Sequence, residues 1–249
     1  MVIKGYSYNV LQYRLKQIIK RRFKGMEEPF LCIITPVFDP CLKSLKGLIS
    51  DLQKQSYGNF IHVSIANGKE PKIHQYIEAI RVHDKRFVYD EIPFNSIYKD
   101  SGLVDDLLIT NGIRRNFVKR KYDAKMYLNL GADFKINNLF IIQAIKKHYE
   151  ETKKDIILIE TLVNKKRYPL YPINKHSFID LSNFCYTKRI ARKYKYPEDI
   201  DPRFDVANDY RYFDKIVNFN ILEGVYGVKD GRTHYKTIEQ LHYEQYNKK

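Results

Sequence analysis

Acidic residues are in short supply in this chain: 29 aspartates and glutamates stand against 44 lysines and arginines. Cysteine is scarcer still. The three present, Cys32, Cys41 and Cys185, are too few and too scattered for a disulfide framework, which points to a reducing compartment. None belongs to a C-x-x-C pair, so the spacing gives no structural zinc site. No apolar run is long enough to cross a bilayer, and the first residues mix apolar and basic side chains instead of forming a secretory core. The expected location is therefore cytoplasmic. Gly-x-Gly-x-x-Gly does not follow the first apolar run, and Gly-x-x-x-x-Gly-Lys-Ser/Thr occurs nowhere, which removes support for dinucleotide and P-loop sites. Zinc-finger spacing, an RNP-like aromatic motif, a helix-turn-helix, internal repeats and low-complexity tracts are also missing.

What remains is a chain of 249 residues, 44% apolar, with a formal charge of +15. That length suits one large domain with a real core. The charge predicts attraction to polyanions: nucleic acid, an anionic lipid surface or a phosphorylated small molecule. It is spread along the chain and no nucleic-acid motif accompanies it, so nucleic acid stays the weaker alternative.

Residues 1–28 form one unit of this reading. Leu11, Leu15, Ile18, Ile19 and Phe23 share a helical face, while Arg14, Lys16, Lys20, Arg21, Arg22 and Lys24 crowd the rest. This pattern predicts a basic amphipathic helix that either docks on the domain or rests on an anionic membrane, at its inner face. A domain over residues 29–235 follows, and a polar tail over 236–249.

Within the domain, FLCIITPVF (Phe30 to Phe38) reads as a strand buried on both faces. Leu42, Leu45, Leu48, Ile49 and Leu52 then recur at helical spacing. FIHVSIA (Phe60 to Ala66) is a second strand closed by Asn67-Gly68, Ile73 to Val82 a helix, and Arg86 to Asp90 a short strand. A helix over Leu103 to Lys121, a strand over Met126 to Leu130, a helix over Asn137 to Glu150 and a strand over Asp155 to Val163 complete the alternation. After a Pro- and aromatic-rich excursion at 164–182 come NFCY and a helix-like KRIARKYK. Alternating strands and helices predict an α/β domain with a mostly parallel central sheet. Right-handed crossovers would bring Thr35-Pro36, Ala66-Asn67-Gly68 and Gly131-Ala132-Asp133 to the edge where such sheets bind ligands.

The order of these signatures resembles family-2-type glycosyltransferases with the GT-A fold. In that family a strand ends in Thr-Pro, as IITPVFD does, and a Leu-x-x-Leu helix leads to a Gln-x-Tyr turn, as in LISDLQKQSYGNF. A second strand ends in Asp-Asp-Gly, where this chain has Ala66-Asn67-Gly68. An Arg-Asn pair matches Arg115 and Asn116, Asp-x-Asp matches Gly131-Ala132-Asp133, and a Glu-Asp pair near the acceptor matches Asn208-Asp209. The resemblance spans roughly residues 30 to 217.

It implies a Rossmann-like, single-domain nucleotide-diphospho-sugar transferase that inverts the anomeric carbon, with UDP-sugar the favoured donor. The acceptor would be a glycan, a lipid-linked molecule or a protein. Thr35, Pro36, Ala66, Asn67, Arg115, Gly131 and Asp133 would hold the donor. Asp133, with His234 from the segment KDGRTHY, would contact Mn²⁺ or Mg²⁺, and Asp209 would be the catalytic base. The residues leave second readings open. Asp133 and Asp209 each suit a helix cap, and Asn67 suits the turn of Asn-Gly. Arg114 and Arg115 suit a solvated helix face, and Arg232 shares the openness of His234. Because Ala66, Asn67 and Gly131 replace carboxylates, a catalytically inactive domain that binds a nucleotide or a partner is the alternative function.

Overall fold

The computed structural model describes residues 28–92, 106–163, 166–168, 184–195 and 219–229. The N-terminal basic helix, most of the 164–182 excursion, Asn208-Asp209, Arg232, His234 and the C-terminal tail lie outside those residues.

Strand β1 (Leu31–Val37) forms where the sequence has its apolar run, and the 3₁₀ turn Asp39–Cys41 hands it to helix α1 (Leu42–Gln53). Leu45, Leu48, Ile49 and Leu52 lie three and four residues apart, so they share one face of α1 and all four are fully buried. Burial of each such side chain contributes about 1.5–3 kcal/mol. Strand β2 (Phe60–Asn67), helix α2 (Pro71–Arg81) and strand β3 (Phe87–Ile92) follow. Pro71 stands at the first turn of α2, where a missing N–H costs nothing.

Helix α3 (Asp106–Lys121) leads to strand β4 (Met126–Asn129), and a two-residue strand β5 (Phe134–Lys135) precedes helix α4 (Ile141–Thr152). Strands β6 (Ile156–Val163), β7 (Lys166–Tyr168) and β8 (Phe184–Thr187), helix α5 (Lys188–Lys193) and strand β9 (Phe219–Lys229) complete the described elements.

One sheet runs in the order β3-β2-β1-β4-β8-β6-β9-β5, with β7 against β6. The half built from β3, β2, β1 and β4 is parallel throughout. Beyond β4 the sheet is mixed: β8 is antiparallel to both β4 and β6, and β9 is parallel to β6 but antiparallel to β5. The parallel βαβ pattern therefore stops at β4.

Alternation along β1 splits the core in two. Leu31, Ile33 and Val37 join the apolar faces of α1, α2 and α4, whereas Cys32 and Ile34 join Val118 of α3, nearby Tyr122, and Ile190 of α5. Helices α1 and α2 thus cover one face, and α3 covers the other as the chain crosses from β3 back to β4. The direction of winding reverses between β1 and β4. A crevice opens at such a reversal, beyond the carboxyl ends of the strands.

Candidate functional site

The register fixes which residues reach that crevice. Val37 pairs with Ala66, and Ile34 pairs with Asn129. Asn67-Gly68 and Gly131-Ala132-Asp133 therefore emerge on either side of the end of β1. Gly68 turns the chain with φ 80°, a conformation glycine adopts without strain, and its N–H donates to the Ile92 carbonyl at 2.9 Å. After β4 the Leu130 N–H donates to the Ile34 carbonyl at 3.0 Å, and the Phe134 N–H closes a turn on the Gly131 carbonyl at 3.1 Å.

Asp133 sits in that turn. Residues Phe134–Lys135 are extended and α4 starts only at Ile141, with Phe140 as its N-cap, so Asp133 caps no helix. One carboxylate oxygen folds over Gly131, where a Cβ would stand 2.5 Å from Oδ1. The other, Oδ2, is buried and has no hydrogen-bond partner among the described residues. The same holds for Oδ1 of Asn67. Two orphaned oxygen acceptors at one sheet edge are costly unless something else meets them. Oxygen donors of this kind suit Mg²⁺ or Mn²⁺, and the Asp133 carboxylate fits such an ion. Among the described residues no group of three or more His, Cys, Asp or Glu side chains converges on a cation position.

The remaining candidate residues fall as follows. Thr35 is fully buried, and its hydroxyl lies 3.0 Å from Nε2 of His62, so its side chain belongs to the core. Pro36 is half-buried and Ala66 fully buried, both at the ends of their strands. Arg115 is half-buried on α3. The topology brings the β1, β2 and β4 residues to one edge; Asp209 and His234 fall outside the described residues.

Three residues with no role in the sequence reading belong to this edge. Asp39 and Glu70 clasp the segments that follow β1 and β2. The Asp39 N–H donates to Glu70 Oε2 at 2.7 Å, the Ile73 N–H donates to Asp39 Oδ1 at 3.2 Å, and the Glu70 N–H donates to the Tyr89 hydroxyl at 3.0 Å. Burial raises the Glu70 carboxyl above the ordinary glutamate range; the Asp39 N–H and the Arg114 charge pull it back, and the Asp39 carboxyl raises it.

Arg114 is the third. The solvated-face reading fails for it: the side chain is 1% exposed. Its Nη1 donates to the carbonyls of Val37 at 3.1 Å and Ile65 at 3.5 Å. Two adjacent basic residues on a polar helix signalled surface, whereas α3 buries Asn116 and Lys119 as well. The useful signal was the apolar gap in the helix, opposite two strand ends that carry carbonyls to be satisfied.

Cys41 lies among these groups. Burial pushes its thiol up to about 11; the Phe38 N–H and Arg114 lower it, and the charges of Glu70 and Asp133 raise it. A thiol held protonated is no nucleophile at neutral pH.

No family model matches the chain. Among curated proteins it is similar to two DNA replication and repair proteins RecF of Clostridium botulinum. One, from strain Eklund 17B, is 27% identical over 189 residues, 70% of this chain and 51% of that protein. The other, from strain Alaska E43, is 26% identical over 223 residues, 83% of this chain and 59% of that protein. The chain thus spans about half to three-fifths of the length of these curated relatives. Among solved structures it resembles S. aureus TarS 1-349, with a TM-score of 0.63 and 14% identity over 80% of this chain and 60% of that one. The same fragment has been solved with UDP-GlcNAc, at a TM-score of 0.59 and 15% identity over 82% of this chain and 60% of that one. The mannosyltransferase PcManGT from Pyrobaculum calidifontis, solved with GDP-Man and Mn²⁺, gives a TM-score of 0.59 at 10% identity over 95% of this chain and 70% of that one. At these identities the likeness is one of fold: a mixed, mostly parallel α/β sheet with flanking helices, of the kind these nucleotide-sugar-binding proteins share.

Proposed function

We propose that the chain is an inverting glycosyltransferase of the GT-A type that moves a sugar from a nucleotide-diphospho-sugar, UDP-sugar foremost, to an acceptor hydroxyl. The observation that carries this reading is the orphaned, buried Oδ2 of Asp133 at the β1–β4 reversal, in a fold shared with proteins solved with UDP-GlcNAc and GDP-Man. Asp133 would hold Mn²⁺ or Mg²⁺, with His234 as a second contact. When bound, such an ion supplies positive charge for the departing diphosphate. The chain's own residues do the rest. Asn67 offers an amide to a base edge, and Arg115 offers a planar fork to base or phosphate. Pro36 and Ala66 shape the floor beneath the donor, with the backbone of Thr35 behind them. Gly131 leaves room for the Asp133 carboxylate. Asp209 takes the proton from the acceptor hydroxyl.

The test is a thermal-shift panel of UDP, GDP, dTDP and CDP, each with and without Mn²⁺, followed by donor hydrolysis assays on Asp133→Asn and Asp209→Asn. One nucleotide raises the melting temperature by mass action. Asp133→Asn loses the Mn²⁺-dependent part of that shift, and Asp209→Asn binds donor but transfers at least a hundredfold more slowly. Nucleotide binding without turnover across a broad acceptor panel would favour the inactive domain instead.

The similarity to DNA replication and repair proteins, together with the charge of +15, favours a second reading, a nucleic-acid-binding domain. Its mark is salt-sensitive binding of arbitrary oligonucleotide that UDP does not displace and that Asp133→Asn leaves unchanged. No helix among the described residues is long and apolar enough to cross a membrane. Contact with an anionic membrane would fall to residues 1–28, and deletion of residues 1–25 would then abolish binding to anionic vesicles.

A further inference from the structure

We infer that Arg114 is a positioning residue of the nucleotide-sugar site, a buried clamp that sets the spacing of the segments following β1 and β2. The inference rests on the function proposed above and concerns a side chain that touches no donor itself.

Parallel strands end with carbonyl groups directed at the ligand-binding edge, and these repel an anionic diphosphate. In β1 and β2 the Val37 and Ile65 carbonyls are met from beneath by one guanidinium nitrogen of Arg114, at 3.1 and 3.5 Å. That side chain is 1% exposed and comes from α3, on the sheet face opposite α1 and α2. One guanidinium nitrogen therefore ties a helix on one face to two strand ends. Just beyond those ends lie Asp39, which follows Val37 by two residues, and Asn67-Gly68, which follow Ile65 by two and three. The Asp39–Glu70 clasp joins the two segments above the clamp. Arg114 also acts on that clasp by charge. Glu70 is faced by the Asp39 N–H and carboxyl, by the Tyr89 hydroxyl and by Arg114, and the thiol of Cys41 feels both Glu70 and Arg114. Of these groups Arg114 is the cation, and it favours the ionised Glu70 that accepts the Asp39 N–H.

The experiment compares the full chain with Arg114→Met, which keeps length without charge, and Arg114→Lys, which keeps charge without the fork. UDP affinity is measured by calorimetry from pH 5.5 to 8.5, beside the melting temperature without ligand. Arg114→Met weakens UDP binding by about tenfold, the scale of a lost charged hydrogen bond, and moves the acid limb of binding to higher pH. Arg114→Lys returns the limb to its parental position but still binds severalfold more weakly than the parent. A purely structural role would lower the melting temperature while leaving the affinity and acid limb of the folded variants unchanged, and that result overturns the inference. Should Arg114→Met fail to fold, parental affinity in Arg114→Lys overturns it alone. If the parent binds none of the four nucleotides, the proposed function fails, and the clamp is then decided by hydrogen exchange. Faster exchange of the Asp39, Gly68 and Ile73 amides in the Arg114 variants sustains it, and unchanged exchange removes it.

Discussion

Burial holds the imidazole of His62 neutral, with its pKa pulled down to about 3, and Thr35 takes up one ring nitrogen at 3.0 Å. In the unfolded chain the same ring titrates near 6.5. Between these values the unfolded chain binds a proton that the folded chain refuses, so stability rises with pH across that window and falls as the solution is acidified. At pH 5 the loss from this one group is about 2 kcal/mol. Urea unfolding at pH 5 and pH 7 should therefore show a gap that shrinks by about that amount in His62→Gln. At the sheet edge, Gly131 and Asp133 act as a pair. A side chain at 131 would meet Oδ1 of Asp133 at 2.5 Å, and the flexible carboxylate is the partner that can move. Gly131→Ala should still fold and cost no more than about 1 kcal/mol, because the atom its Cβ meets is the end of a carboxylate that can rotate away. It should nevertheless lose most of the Mn²⁺-dependent nucleotide shift. Gly131→Asp should not restore a two-carboxylate site, because the second carboxylate would displace the first.

Helices in this chain are readable to the degree that their buried faces are apolar. Helix α1 buries Leu45, Leu48, Ile49 and Leu52, and its span follows from their spacing. Leu48→Ala should cost about 2–5 kcal/mol by opening a cavity where a fully buried side chain now packs, measured as a shift of the denaturation midpoint. Helix α3 buries Arg114, Asn116 and Lys119, so its pattern resembles a solvated helix and hides the residues nearest the site. Helix α4 ends on Lys153 with φ 53° in the left-handed region, where most side chains are strained. Lys153→Gly should raise stability by about 1 kcal/mol, checked by the same denaturation measurement. Among strands, the apolar runs announced β1, β2, β4 and β6. The two-residue β5, the three-residue β7 and β9 were not announced. Strand β9 carries Gly224 and Gly227, and its pairing with β6 slips between Ile159 and Glu160. An irregular ladder leaves no regular period in the sequence.

At the scale of the whole molecule, the reversal of winding between β1 and β4 decides where ligand chemistry can occur. Among the described residues, the buried, orphaned oxygens of Asn67 and Asp133 both lie at that edge. Removing divalent metal should therefore act locally. With EDTA present, the nucleotide-induced rise in melting temperature should fall toward zero while the ligand-free melting temperature stays put, as expected when the ion binds with the nucleotide and not as part of the fold. A drop in the ligand-free melting temperature would place a structural metal elsewhere.

Sequence by itself determined the strands with long apolar runs, the amphipathic helices and the arrival of Asn67 and Asp133 at strand ends, because hydrophobic period and turn chemistry are local properties. It left Asp133 between helix cap and ion contact; the extended Phe134–Lys135 and the start of α4 at Ile141 removed the cap. Only the tertiary structure decided that Arg114 is interior and that Asp39 and Glu70 meet across 31 residues of chain. It also decided that the sheet becomes mixed beyond β4. Those outcomes depend on which buried carbonyls and amides must be satisfied once the strands are side by side, and no local pattern records that demand.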